Sequence, residues 1–118
     1  MINQQELSGY INQSIPELAG MCTSAQALEP NEIARQMINY ASSHEKVNDL
    51  NAAKNCFMLA EHLYSNGDKA IKNAIENVFV YSLSHKFFYD ETRRNNVMRI
   101  LPNSLYEMYK KQVISSHI

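Results

Sequence analysis

The chain has no tryptophan, two cysteines, three glycines and three prolines in 118 residues, and each scarcity excludes a class of protein. The glycines, Gly9, Gly20 and Gly67, cannot build a Walker loop or a Gly-x-Gly-x-x-Gly fingerprint at these spacings, so phosphate-cradling loops are excluded. The two thiols, Cys22 and Cys56, are too few for the disulfide framework of a small secreted domain and have no zinc-finger spacing. They point to a reduced, cytoplasmic protein. No apolar run approaches the ~18 residues that a membrane-spanning helix needs. The opening residues carry no basic cluster and no apolar stretch, so no signal peptide is expected. Leu18 to Cys22 fails as a lipoprotein cleavage site, because Met21 intervenes and no hydrophobic region precedes it.

Charge of one sign is also lacking. The net charge of −1 leaves no overall field to draw in nucleic acid or an anionic membrane. The distribution is mildly uneven. Three Lys/Arg and six Asp/Glu up to residue 59 give −3, and eight and six after it give +2. Lys86, Arg93, Arg94 and Arg99 form a small basic group, expected as a solvated helix face.

What is present is a hydrophobic content of 45% against 19% charged, enough for one folded domain over 1–118 with a real core. Apolar residues recur at helical spacing throughout. A first helix is predicted over 2–14, with Leu7, Tyr10 and Ile11 on one face. Pro16 ends it, and 16–27 is ambiguous, with room for a helical turn from Glu17 to Met21. Pro30-Asn31-Glu32 opens a second helix whose stripe is Ile33, Met37, Tyr40, Ala41, His44 and Val47. Asp49 caps a third helix, from about Leu50 to Asn66, that buries Ala53, Cys56, Phe57, Ala60, Leu63 and Tyr64. Gly67 is expected to stop it in a left-handed conformation, and Asp68 caps a fourth helix to about His85. That helix is apolar over most of its circumference, Val80 and Tyr81 included, and is expected to be central. Of the three successive aromatics Phe87, Phe88 and Tyr89, one or two are expected to cover the core edge. A short helix follows over 91–101 with Val97, Met98 and Leu101 inward. A last one carries Leu105, Met108, Tyr109 and Val113, before a frayed tail at 115–118. The fold class is therefore all-α: a compact bundle of five or six helices around a central antiparallel hairpin.

That hairpin, with Leu59-Ala60, Leu63 and the Gly67-Asp68 turn, resembles the first helix and turn of a tetratricopeptide repeat over 56–84. The resemblance implies close αα packing, with the Gly-Asp turn joining the paired helices. It breaks in the second helix, where Lys72 stands at a small-residue position and Ser84 where proline is common. The whole chain is also similar to small, all-helical, uncharacterised bacterial domains, some of which act as immunity or adaptor proteins. Both likenesses leave generic helical packing as the reading.

Catalytic constellations are sparse. No two histidines lie four apart on a helix, and no Glu-x-x-His is present, so neither a zincin nor a di-iron bundle is expected. No cofactor and no metal are predicted. Glu61, His62 and His85 remain as pocket candidates for general acid–base work or ligand binding if three helices bring them together. His44, on an apolar stripe, is expected as a hydrogen-bonded, half-buried side chain. A helix-turn-helix across 91–112 would carry Glu107 beside Lys110 and Lys111, a poor recognition helix. Seven tyrosines, six methionines and four phenylalanines suit an interface. The face assigned is Tyr89, Arg93, Arg94, Tyr106 and Tyr109. The leading expectation is a non-catalytic, cytoplasmic protein–protein interaction module, of immunity or adaptor type, with an unidentified protein partner or a second copy of itself. The alternatives are a ligand-binding or enzymatic bundle with an interhelical pocket, and a DNA-associated regulator.

Overall fold

Asn3 starts the first helix. Its Oδ1 accepts from the Glu6 amide at 3.0 Å, and its own amide donates to Glu6 Oε1 at 3.3 Å, a reciprocal cap. The computed structural model describes residues 1–21 and 29–116. Cys22 and His117, and with His117 the end of the expected frayed tail, lie outside the described residues. The helices are α1 (Gln4–Ser14), α2 (Pro16–Met21), α3 (Pro30–Lys46), α4 (Leu50–Asn66), α5 (Lys69–Ala74), α6 (Glu91–Ile100) and α7 (Asn103–Ser116). Among the described residues there is no strand, and the fold is all-α. Short α2 is the helix that periodicity alone left ambiguous.

Asp49 and Asp68 cap their helices as expected, and Asp90 adds a cap not expected from the sequence. Asp49 accepts from the Ala52 amide at 3.2 Å, Asp68 from Ile71 at 3.0 Å, and Asp90 from Thr92 at 2.9 Å and Arg93 at 3.2 Å. Between α5 and α6 the chain stays helical but winds wider, as π-helical Ile75–Val80 and Ser84–Phe88. The sequence explains why. Ile71, Ile75, Phe79, Leu83 and Phe87 recur at every fourth position, and all are buried. On a regular α-helix each four-residue step turns the stripe by about 40°, so five such residues could not share a face. The wider π turn rotates the stripe back and holds the ladder against the core.

The core is built on α4, which packs against α1, α3, α5, α6 and the first π-helical segment. Phe57 sits at its centre, edge-on to Phe79 at 5.7 Å and to Phe87 at 5.9 Å between ring centroids. Cys56 is fully buried and donates to the Met37 carbonyl at 3.1 Å. Burial pushes its thiol far above the ordinary value of 9.0, so it is a packing residue and no nucleophile.

Four expectations are corrected. Val47 and Tyr81 do not join the core: they are 74% and 67% exposed, Val47 because α3 ends there and Tyr81 because it lies on the side of its helix away from the buried ladder. Met98 is 40% exposed, one position past buried Val97. Gly67 is extended, at φ −74° and ψ 161°, and the left-handed residue is Asn48 in the α3–α4 turn, at φ 64°.

Gly67 is needed for space instead. A Cβ there would lie 2.4 Å from the Leu63 carbonyl oxygen and 2.5 Å from Ile71 Cγ2. The Ile2 amide and carbonyl pair across this turn, with Asn66 and Asp68, at 2.7 Å each. Gly67→Ala is expected to destabilise the fold by about 1–3 kcal/mol, the usual cost of overpacking. Urea denaturation with an unchanged slope and a lower midpoint is the check.

Candidate functional site

The longest-range consequence of the π winding is a groove. Beside Tyr81, which falls between the two π-helical segments, lies α7. The cleft between them, about 260 Å³, is lined by Tyr81, Ser84, His85, Tyr109, Gln112 and Val113. Gln112 anchors the wall by donating to the Glu76 carbonyl at 2.7 Å, inside the π-helical stretch. Ser82 takes the Val78 carbonyl at 2.7 Å. These side chains occupy carbonyls where the regular helical ladder is disturbed. On the floor, Ser84 donates to the Tyr109 hydroxyl at 3.2 Å, and Tyr109 stands edge-on to Phe88 at 4.7 Å. Tyr81 and His85 are left exposed at the mouth, and Ile114, 61% exposed, follows Val113 on the α7 side.

The predicted interface residues divide between this groove and other surroundings. Tyr109 belongs to it. Tyr106 lies beneath the Lys110 ammonium, at 5.1 Å, and Lys110 is also paired with Glu107 at 3.1 Å. Arg94 is exposed and donates to the Phe88 carbonyl at 3.3 Å. Tyr89 is 66% exposed and accepts from Arg93 Nη1 at 3.1 Å. Arg93 is not the free cation that a rim position implies. It turns inward, pairs with Glu45, and donates to the Ser42 hydroxyl at 3.1 Å and the Ser42 carbonyl at 3.3 Å. Its guanidinium also covers the Phe87 ring at 5.2 Å. Burial alone would lower the Arg93 pKa, but the bonds to Glu45 and Tyr89 outweigh it and the net shift is upward. Glu45 is 5% exposed and accepts a second bond from Asn96 at 3.1 Å.

The three pocket candidates do not converge. Glu61 accepts from the Ser104 hydroxyl at 2.6 Å, at the start of α7. His62 faces α1, 5.4 Å from the Tyr10 ring, with Asn66 Nδ2 3.3 Å from its Nδ1. His85 lines the groove. Glu61 and His62 are consecutive on α4, so they diverge by about 100° around the helix. Among the described residues no three His, Cys, Asp or Glu side chains gather as metal ligands.

His44 is half-buried and hydrogen-bonded as expected, with Nδ1 3.2 Å from Asp49 Oδ2. Its surroundings were not anticipated. The Tyr40 ring lies 4.2 Å from the His44 ring, and the Tyr40 hydroxyl donates to Glu17 at 2.6 Å. Burial, then the Glu17 bond, push the Tyr40 phenol well above its ordinary 10.0. These four side chains line a cleft where the α1–α2 junction meets α3 and α4.

No helix among the described residues is long and apolar enough to cross a membrane. Residues 8–115 match the model of one protein family, described as a domain of unknown function (DUF7674). No curated protein and no solved structure matches the chain.

Proposed function

The chain belongs to the DUF7674 family, and from that premise we propose that it is a protein–protein interaction module whose docking face is the groove between the π-helical stretch and α7. The observation that carries this reading is the exposure of Tyr81 at the mouth of a groove floored by Tyr109. Tyrosine brings apolar area and a polar tip at low entropic cost, the combination favoured in interface cores. The Gln112 and Ser84 bonds tie its two sides together, which lowers the ordering cost of binding. A non-catalytic role accords with the separation of Glu61, His62 and His85. The cations of α6 and α7 also suit this reading better than DNA binding, since Arg93 and Lys110 are spent on partners within the fold.

Tyr81→Ser with His85→Ser removes the exposed mouth without touching the core. Tagged protein purified from its native cell is expected to bring down a stoichiometric partner, and the double variant to bind it at least about tenfold more weakly, as for an interface hot spot. Lys54→Ala, on the exposed side of α4, serves as the control and is expected to bind normally. Undiminished partner binding by the double variant contradicts the assignment of this face.

A further inference from the structure

We propose that Asn66-Gly67, in the turn between α4 and α5, is a modification site: a deamidation switch that Ile2 holds shut and whose reaction releases Ile2 from the fold. None of these residues lines the tyrosine groove, and the inference does not rest on the reading above.

Of the thirteen asparagines in the chain, Asn66 alone precedes a glycine. An asparagine side chain is open to attack by the amide nitrogen of the next residue, and glycine, with no Cβ, hinders that approach least. The Gly67 nitrogen loses its proton to base and bonds to Asn66 Cγ. The Cγ–Nδ2 bond breaks, and the side-chain nitrogen leaves as ammonia, giving a five-membered imide. Water then opens the imide at either carbonyl. One opening gives an aspartyl linkage. The other gives an isoaspartyl linkage, whose main chain is one methylene longer. Solvent water is the only co-reactant, and nothing is oxidised or reduced.

The fold presents one reactant and withholds the other. Asn66 is exposed and lines an open cleft of about 330 Å³ with Ile2, Glu6, Tyr10 and His62. Gly67 is buried, and its amide donates to the Leu63 carbonyl at 2.7 Å. The Asn66 side chain is turned back along α4 and donates to the His62 carbonyl at 3.1 Å. Ring closure requires the Gly67 N–H to leave Leu63 and the backbone between the two residues to rotate. Ile2 opposes that rotation. Its amide donates to the Asn66 carbonyl and its carbonyl accepts from the Asp68 amide, at 2.7 Å each, so the reactive pair is pinned on both sides. Ile2 is also 4% exposed, and its side chain adds an apolar anchor. Reaction therefore waits on local opening of this turn.

The same geometry makes the isoaspartyl product irreversible in effect. The two Ile2 bonds reach residues 66 and 68, on either side of the linkage that changes. An added methylene between them alters their spacing, so both bonds cannot re-form. Asn3, next to Ile2, caps α1. Release of Ile2 therefore loosens the start of α1 against α4.

The test is ageing of the full chain in warm, mildly alkaline buffer, where base is available to take the Gly67 proton. The tryptic fragment 55–69 is followed by mass spectrometry for deamidation at position 66 and for isoaspartyl content. The folded wild type is expected to react at least about a hundredfold more slowly than the same chain unfolded in urea. Ile2→Pro deletes the N–H that Asn66 accepts, and is expected to speed reaction of the folded protein by at least about tenfold, with helix content unchanged by circular dichroism. Ile2→Ala keeps both backbone bonds, removes only the buried anchor, and is expected to speed it less. The isoaspartyl form, separated from aged wild type, is expected to show fast amide exchange at Ile2 and Asp68. Equal rates in the folded and unfolded wild type would overturn the proposal. So would a wild-type rate in either variant that stays folded, or an isoaspartyl form whose Ile2 and Asp68 amides exchange as slowly as before.

Discussion

Phe57→Ala is expected to lower the stability of the fold by about 3–5 kcal/mol, a large share of what a domain of this size has. Phe57 is fully buried on α4. Its ring meets Phe79 at 83° and Phe87 at 65° between planes, both edge-to-face arrangements. Those two rings belong to the two π-helical segments, so a single side chain joins α4 to the whole wide-wound stretch. Truncation opens a cavity and removes both aromatic contacts. The neighbouring Met58 is 53% exposed, and Met58→Ala is expected to change stability by no more than about 0.5 kcal/mol. Urea midpoints for the two variants make the comparison. Equal midpoints would show that the ladder is not held by Phe57.

The second large effect concerns Glu45 and Arg93. Glu45 lies on the core side of α3, and its partner comes from α6. Removal of one member leaves the other buried and unpaired, which costs about 3–5 kcal/mol. Glu45→Met and Arg93→Met are each expected to fall in this range. The double variant is expected to recover part of the loss, because methionines of similar reach can pack where the ions stood. The bonds from Arg93 to Ser42 and from Asn96 to Glu45 set how much is recovered, since both lose a partner in the double variant. Additive losses in the two single variants would mean that the pair is not coupled. The pair also explains why Arg93 cannot serve as a rim contact for a partner: its charge is already engaged inside the fold.

Much of the fold was legible because it rests on local physics. Helical spacing, the caps at Asp49 and Asp68 and the break at Pro16 are each encoded within a few residues. The π winding was legible in principle, in the strict fourfold recurrence of Ile71, Ile75, Phe79, Leu83 and Phe87, but a broad apolar face conceals that signal. Glu45 carried a sharper clue. It falls four residues after Ala41 and eight after Met37, on the buried stripe of α3, and a carboxylate there requires a partner. The identity of that partner, forty-eight positions away on α6, depends on tertiary packing. The same holds for Glu17 with Tyr40, twenty-three positions apart. Gly67 shows a different limit. Its turn was evident, but whether a glycine is needed for left-handed dihedrals or for space depends on what packs against it. Of the interface residues predicted from aromatic content, Tyr109 lines the groove, and Tyr81, counted in the apolar circumference of its helix, stands exposed at the mouth.

The most direct measurement is hydrogen–deuterium exchange on the chain alone and in complex with the partner it co-purifies. The account predicts added protection over 81–85 and 109–113, with little change over 39–44 and 49–55. Protection confined to any other face, with the groove exchanging as in the free chain, would contradict it.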